Sequence, residues 1–248
     1  MAVVLEAVGL TRFFGRVAAV DDVSVGIEAG AMVGIVGPNG AGKTTFLNLI
    51  TGYVKPEKGQ ILHLGTDITG LPPRAVTGLG IARSFQIPQL YTSLSVRENL
   101  LIALATRAGH SLDFWSPLKR DVWIAEALDI LEQFGLGDYA RRPVSELPEG
   151  GRKLLDIALS FALKPRVLLM DEPTSGVSMK DKFGVMDTLV EVLRRTGVTT
   201  VFVEHDMEVV HRYAERVLVF SGGRIAADGD PQTLFADAQV RRAVVGLE

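Results

Sequence analysis

An octapeptide near the N-terminus, Gly37-Pro-Asn-Gly-Ala-Gly-Lys43-Thr44, constrains this chain more than any other feature. It fits the pattern G-x-x-x-x-G-K-[ST] and lies between two patterned segments. Before it, Met32–Val36 is a short apolar run that reads as a buried strand. After it, Phe46, Leu47, Leu49 and Ile50 recur at helical spacing, with Gly52 placed to stop the helix. Strand, glycine-rich turn and helix form a phosphate cradle, because small residues let backbone N–H groups wrap an anion at a helix N-terminus. In that reading Gly37, Pro38, Asn39, Gly40, Ala41, Gly42 and Thr45 line the cradle. Lys43 neutralises β- and γ-phosphates, and the Thr44 hydroxyl ligates Mg²⁺. A glycine-rich turn matching by chance is the alternative, and the flanking elements argue against it.

The remaining pattern is consistent with such a core. Val167–Met170 and Thr199–Val203 are further buried-strand candidates, each ending in charged residues. Between them Phe183, Met186, Leu189, Val190 and Leu193 form one helical face closed by Gly197. Alternating strands and helices imply a parallel α/β sheet. From Tyr91 to about Leu163 the pattern turns helical. Ser95 and Glu98 spell a capping box, and Trp123, Ile124, Ala127, Leu128, Leu131 and Phe134 spell a second helical face ending at Gly135. We therefore expect one domain: a nucleotide-binding α/β core over residues 1–90 and 164–248, and a helical subdomain over 91–163. Both ends look β-rich, with a hairpin expected at Val217–Phe220, Gly222-Gly223 and Ile225–Ala227.

Composition narrows the function classes. The 248 residues are 47% hydrophobic with a formal net charge of -3. The mild acidity argues against nucleic acid as a partner. Without cysteine, thiolate metal sites and disulfides are excluded. No apolar run approaches the ~18 residues that span a bilayer, and the start, with Glu6 and no basic region, does not read as a signal peptide. Any membrane role must then come through partners.

A second chemical element is Val167-Leu-Leu-Met-Asp171-Glu172-Pro173. Asp171 at a strand's C-terminal end can hold Mg²⁺, and Glu172 can polarise an attacking water. An apolar run ending in Asp-Glu is weak by itself and gains force downstream of a phosphate cradle. In order and spacing, the cradle, Gln86 after a strand, Asp171-Glu172 and Glu204-His205-Asp206 resemble the ATP-binding-cassette ATPases. That resemblance covers nearly the whole chain.

It implies an α/β P-loop (RecA-like) core with an antiparallel β portion and an inserted helical subdomain. ATP and Mg²⁺ are the implied ligands. Glu172 falls on the general base, His205 on the switch histidine that contacts the γ-phosphate, and Gln86 on the Q-loop glutamine that reaches metal and water. Phe14 falls on the aromatic that stacks on adenine, supported by Val20, although neighbouring Phe13 competes for that place.

Within the family the likeness is to branched-chain amino acid importer ATPases. It is carried by Gly34–Thr45, Ala82-Arg-Ser-Phe-Gln86, Ser95-Val-Arg-Glu-Asn-Leu100, Glu204-His-Asp-Met207, an apolar stretch at Phe114–Leu118 and the ending Val240–Gly246. The implied partners are transmembrane permease subunits, a second ATPase subunit and, indirectly, a solute-binding protein. The implied place is the cytoplasmic face of the cell membrane, held peripherally. A lipid or lipopolysaccharide exporter ATPase and a low-turnover regulatory subunit share most of these motifs and stand as rivals.

Two positions depart from the family pattern. Where its Leu-Ser-Gly-Gly-Gln signature should precede the second acidic strand, this chain reads Leu147-Pro148-Glu149-Gly150-Gly151. Pro148 removes a hydroxyl and an N–H donor, and Glu149 brings a carboxylate toward an anionic site. As the start of a helix the pair is favourable, with Pro suited to the first position and Glu to the first turn. Ser178 stands where the family usually has Asp or Asn. An impaired signature points to a heterodimer in which a partner supplies the missing clamp.

Overall fold

The computed structural model describes residues 2–109, 120–238, 240 and 242. The apolar stretch at Phe114–Leu118 lies outside the described residues, as does most of the ending Val240–Gly246. In chain order the N-terminal part contains β1 (Val3–Phe14), β2 (Val17–Glu28), β3 (Met32–Val36), α1 (Lys43–Ile50), β4 (Lys58–His63), β5 (Thr66–Asp67), α2 (Pro73–Gly78) and β6 (Ile81–Ser84). Next come α3 (Val96–Arg107), α4 (Asp121–Gln133), two short 3₁₀ turns and α5 (Glu149–Ala162). The chain then runs through β7 (Val167–Asp171), α6 (Lys182–Thr196), β8 (Thr199–Val203), α7 (Met207–Tyr213), β9 (Arg216–Ser221), β10 (Arg224–Gly229) and α8 (Pro231–Ala236). Between β6 and β7 the described residues hold helices and turns but no strand.

The strands form two sheets. One is antiparallel, in the order β2-β1-β4-β5. The other runs β10-β9-β3-β8-β7-β6, with every neighbouring pair parallel except the β9–β10 hairpin. That hairpin turns through Gly222 and Gly223 at φ 54 and 80, the pair of positive angles a two-residue turn between twisted strands requires.

Strands β3, β7 and β8 are buried at all five positions, so they read as largely apolar runs, with Asp171, Thr199 and Thr200 as buried polar members. Period-two alternation then divides their side chains between two cores. Val33, Ile35, Val167, Leu169, Val201, Val203, Leu218 and Phe220 face α1 and the antiparallel sheet. Met32, Val36, Leu168, Met170, Phe202, Val217 and Val219 face the other side, in one cluster with residues of α3, α4 and α5. The helices therefore share a core with the parallel sheet.

Helix termini follow the local chemistry. Ser95 and Glu98 form the reciprocal capping box at the start of α3, and Gly197 closes α6 in the left-handed region. One helical face differs from expectation. On α4 the buried residues are Trp123, Ala127, Ile130 and Leu131, while Leu128 is exposed. At about 100° per residue, Leu128 lies roughly 140° round the helix from Trp123, off the stripe.

Candidate active site

The glycine-rich turn leaves β3 and enters α1 with two close approaches. A Cβ on Gly37 would collide with the carbonyl oxygen of Phe220, and one on Gly42 with that of Ala19. Both glycines have positive φ, 147 and 101, so side chains are doubly disfavoured there. Gly42 is the N-cap of α1 and offers no side chain to its first turn, leaving backbone N–H groups directed outward at the positive end of the helix.

Lys43 is buried. Its ammonium donates to the carbonyls of Gly37 (2.6 Å) and Pro38 (2.9 Å). Burial pushes its pKa below the ordinary lysine range, and the nearby carboxylates of Glu172 and Asp171 partly offset that. A cavity of ≈ 290 Å³ is lined by Ala19, Asn39–Thr45, Glu172 and His205.

The acidic strand end supplies the opposite charge. Glu172, in the left-handed region at φ 52, is held from two sides. His205 Nε2 lies 2.8 Å from its Oε1, and Gln86 Nε2 donates to its Oε2 at 2.8 Å. Three segments distant in sequence thus converge on one carboxylate. Asp171 is buried beside it, its Oδ2 accepting from Arg83 Nη2 at 2.6 Å, while its Oδ1 is buried without a hydrogen-bond partner. The second Arg83 terminal nitrogen donates to Asn48 Oδ1 on α1 at 2.6 Å.

These features fit a nucleotide phosphate with a divalent cation. The cradle, the buried ammonium and the exposed Thr44 suit the polyanion. An unsatisfied carboxylate oxygen on Asp171 suits a hard cation or its water.

Not every expected residue reaches the cavity. Val20 is fully buried in the core between the antiparallel sheet and α1, so it cannot support a base directly. The residue from β2 that does line the cavity is Ala19, because alternation turns neighbours to opposite faces. Phe14 ends β1, half exposed, with Arg12 over its ring at 5.0 Å. Phe13 is more buried, so of the two rings Phe14 presents more surface.

The signature segment also differs slightly from expectation. Pro148 is the N-cap of α5, and Glu149 is its first helical residue. Glu149 packs beside Gly176, where an added Cβ would lie 3.5 Å from its Oε1.

Four contributors went unassigned by motif reading. Arg83 pairs with Asp171. Glu204 is buried and accepts from both N (2.9 Å) and Oγ1 (2.7 Å) of Thr174, and burial pushes its pKa up. Lys153 and Asp156 on α5 bind the backbone around Gln86. Arg83 and Glu204 sit inside the quoted motifs, whereas Lys153 and Asp156 carry no signal beyond being charges on a buried face.

A P-loop cradle joined to an acidic strand end and a histidine across a parallel sheet defines a nucleotide-hydrolysing fold of the P-loop class. The family described as "ABC transporter" matches residues 20–175. A protein of Archaeoglobus fulgidus named probable branched-chain amino acid transport ATP-binding protein LivG is 32% identical over 249 residues, covering 99% of this chain and 96% of that one. Among solved structures, MJ1267, an ATP-binding cassette of an ABC transporter, superposes with a TM-score of 0.89 at 30% identity over 99% of this chain and all of that one. A cassette solved as a dimer with ADP and phosphate, MJ0796, gives 0.77 at 25% identity, covering 92% and 98%. This chain belongs to the ABC transporter ATP-binding cassettes. It is an ATP-binding, ATP-hydrolysing subunit related to the branched-chain amino acid importer ATPases. No helix among the described residues is long and apolar enough to cross a membrane.

Proposed function

We propose that the chain hydrolyses ATP with Glu172 as general base, powering import of branched-chain amino acids or related small polar solutes. The observation that carries the reading is the clasp on Glu172: Gln86 and His205 reach its two oxygens at the mouth of the phosphate cradle. Lys43 and the first turn of α1 bind and orient the phosphates, and Phe14 stacks on the base. When bound by Thr44, Asp171 and Gln86, Mg²⁺ supplies charge neutralisation on the phosphate oxygens. Glu172 accepts the proton of the attacking water, while Gln86 and His205 hold that carboxylate in position and contact the γ-phosphate side. Catalysis is then mainly positioning and electrostatics.

The chain works peripherally at the cytoplasmic face of the membrane, its residues 91–163 acting as a helical subdomain. It docks on permease subunits that a solute-binding protein serves. Of Ile87, Leu90 and Tyr91 beside Gln86, Ile87 and Tyr91 are 74% and 58% exposed and support a docking groove there, while Leu90 packs partly buried against the core. A second cassette completes each ATP site, and a heterodimer is favoured because Pro148 and Glu149 make a poor clamp.

Glu172→Gln tests the reading. ATP binding is retained and hydrolysis slows by ~10² to 10⁴, the usual loss for a general base. Hydrolysis at the parent rate in the full complex refutes the assignment.

A further inference from the structure

Helix α5 carries a polar stripe where a core helix would ordinarily be apolar. Lys153, Asp156 and Ser160 occupy positions i, i+3 and i+7, all buried among Leu154, Leu155, Ile157 and Ala158. Each reaches the main chain of residues 83–89. Ser160 Oγ donates to the Arg83 carbonyl at 3.0 Å. The Asp156 carboxylate accepts from the N–H groups of Phe85 and Gln89, both at 3.2 Å. Lys153 donates to the carbonyl of Gln86 and, at 3.3 Å, to that of Glu172.

Lys153 is the member that packing does not explain. It is 3% exposed, and its hydrogen bonds end on carbonyl oxygens rather than on a carboxylate. Burying an ammonium is costly: burial pulls the Lys153 pKa down, and the nearby carboxylates of Asp156, Glu149, Glu172 and Glu204 offset only part of that, whereas a methionine would fill similar space without the cost. Its two acceptors are informative. They belong to Gln86 and Glu172, whose side chains meet at 2.8 Å. Glu172 also holds a left-handed backbone, a strained state for a residue with a side chain. Its N–H is fixed by the Val203 carbonyl at 3.0 Å, and its own carbonyl by the Ser175 N–H at 3.1 Å and by Lys153.

We infer that Lys153 is a positioning residue for hydrolysis: its buried ammonium ties the main chain of Gln86 to that of Glu172, so that α5 sets how their side chains meet. The inference rests on the proposed roles of Gln86 and Glu172. A ring closes through Lys153, the two main chains and the two side chains. If Lys153 is removed, the side-chain contact loses that tie, while Asp156, Ser160, Val203 and Ser175 still hold the two main chains separately. Lys153 touches no reacting atom, so its loss alters the rate of the chemical step and leaves nucleotide binding intact.

The experiment measures Mg·ATP hydrolysis and ATP affinity of the full chain. Lys153→Met lowers kcat about tenfold or more, the scale of a misplaced catalytic group, with Kd for ATP within about twofold of the parent. Lys153→Arg, which keeps the charge and donors, recovers most of the loss. In a Gln86→Ala background Lys153→Met lowers the rate by a smaller factor than in the parent, as coupled residues do. An unchanged kcat, a parallel loss of ATP affinity, or the same factor in both backgrounds overturns the inference. Should Lys153→Met fail to fold, Lys153→Gln is read by the same three criteria. Glu172→Gln run alongside separates the two ideas. A parent-like rate there removes the reading of the site, whereas a slow Glu172→Gln beside an unaffected Lys153→Met removes only the role of Lys153.

Discussion

Helices α1 and α5 both begin without a side-chain cap, and their first turns carry opposite charge. At α1 the N-cap is Gly42 and the first helical residue is Lys43, with no acid in the turn. At α5 the N-cap is Pro148 and the first helical residue is Glu149, whose carboxylate lies 3.9 Å from Arg152. A helix start is an anion site only while its N–H groups and its field are left for a ligand. Helix α1 leaves both. Helix α5 answers its dipole with its own carboxylate, which is good for the helix and poor for clamping a phosphate. The entries differ in backbone as well, left-handed at Gly42 and extended at Pro148, so entry geometry and the first residues together decide which end can receive an anion.

The hardest test of that contrast is to take the cation from α1. Lys43→Ala removes a buried ammonium aimed at the cradle, and charge-assisted bonds of this kind contribute about 2–3 kcal/mol. Mg·ATP affinity by calorimetry falls roughly 30- to 100-fold, while thermal unfolding still shows a cooperative transition. Unchanged affinity would mean that the cradle holds phosphate through its N–H groups alone.

The two helices also differ in how much the sequence discloses. The motif around α1 is local in sequence: strand, turn and helix occupy residues 32–50, and Gly37, Gly40 and Gly42 all take positive φ. The burial of β3, β7 and β8 was equally readable from their apolar runs, although Asp171, Thr199 and Thr200 are buried with them. What α5 does was not readable. Lys153 and Asp156 reach partners 67 and 71 residues away, and those partners are main-chain groups common to nearly every residue. Arg83 was in view but its partner was not, since nothing in sequence joins it to Asp171 across 88 positions. Val20 failed for a smaller reason. The β2 strand turns Ala19, not its neighbour, toward the cavity.

A middle-sized effect concerns titration, which sets the helices apart again. The buried face of α1 is apolar apart from Lys43, whereas α5 hangs partly on Asp156. Burial pushes Asp156 up from 3.8 to about 6, against the hydrogen bonds from Gln89 and Phe85 and the charge of Lys153. The folded state therefore binds this proton more tightly than the unfolded one. Its contribution to stability is fully present below about pH 4 and is lost as pH rises through about 6, by roughly 3 kcal/mol in all, of which about 2 kcal/mol is lost above about pH 4.5. Urea midpoints between pH 4.5 and 7.5 show the slope, and Asp156→Asn flattens it relative to the parent. Parallel curves for the two proteins would assign the slope to other carboxylates.

The smallest effect tests whether α5 can be made to resemble α1. Pro148→Ser with Glu149→Gly restores a hydroxyl and an N–H donor and removes the carboxylate. A charge in the first turn of a helix interacts with its dipole by about 0.3–1 kcal/mol, more where partly buried. Placed near a bound polyanion, Glu149 acts with the opposite sign, opposing closure of the site. Lifting it therefore increases the rate roughly fivefold, for about 1 kcal/mol of relieved repulsion. The variant also loses a favourable first-turn charge and gains a serine N-cap, and these nearly offset each other in helix stability. The measurement is ATPase activity of the isolated chain, where any dimer pairs two copies of the same α5. An activity that rises there means the unmodified chain depends on a different partner cassette to complete its own phosphate site. If the double variant is no faster, the carboxylate is not what limits closure. If the unmodified chain alone already matches the full complex, no partner is needed and the heterodimer falls. In either case Gly150 and Gly151 suffice as the clamp, and the contrast between the helix starts is one of stability and not of function.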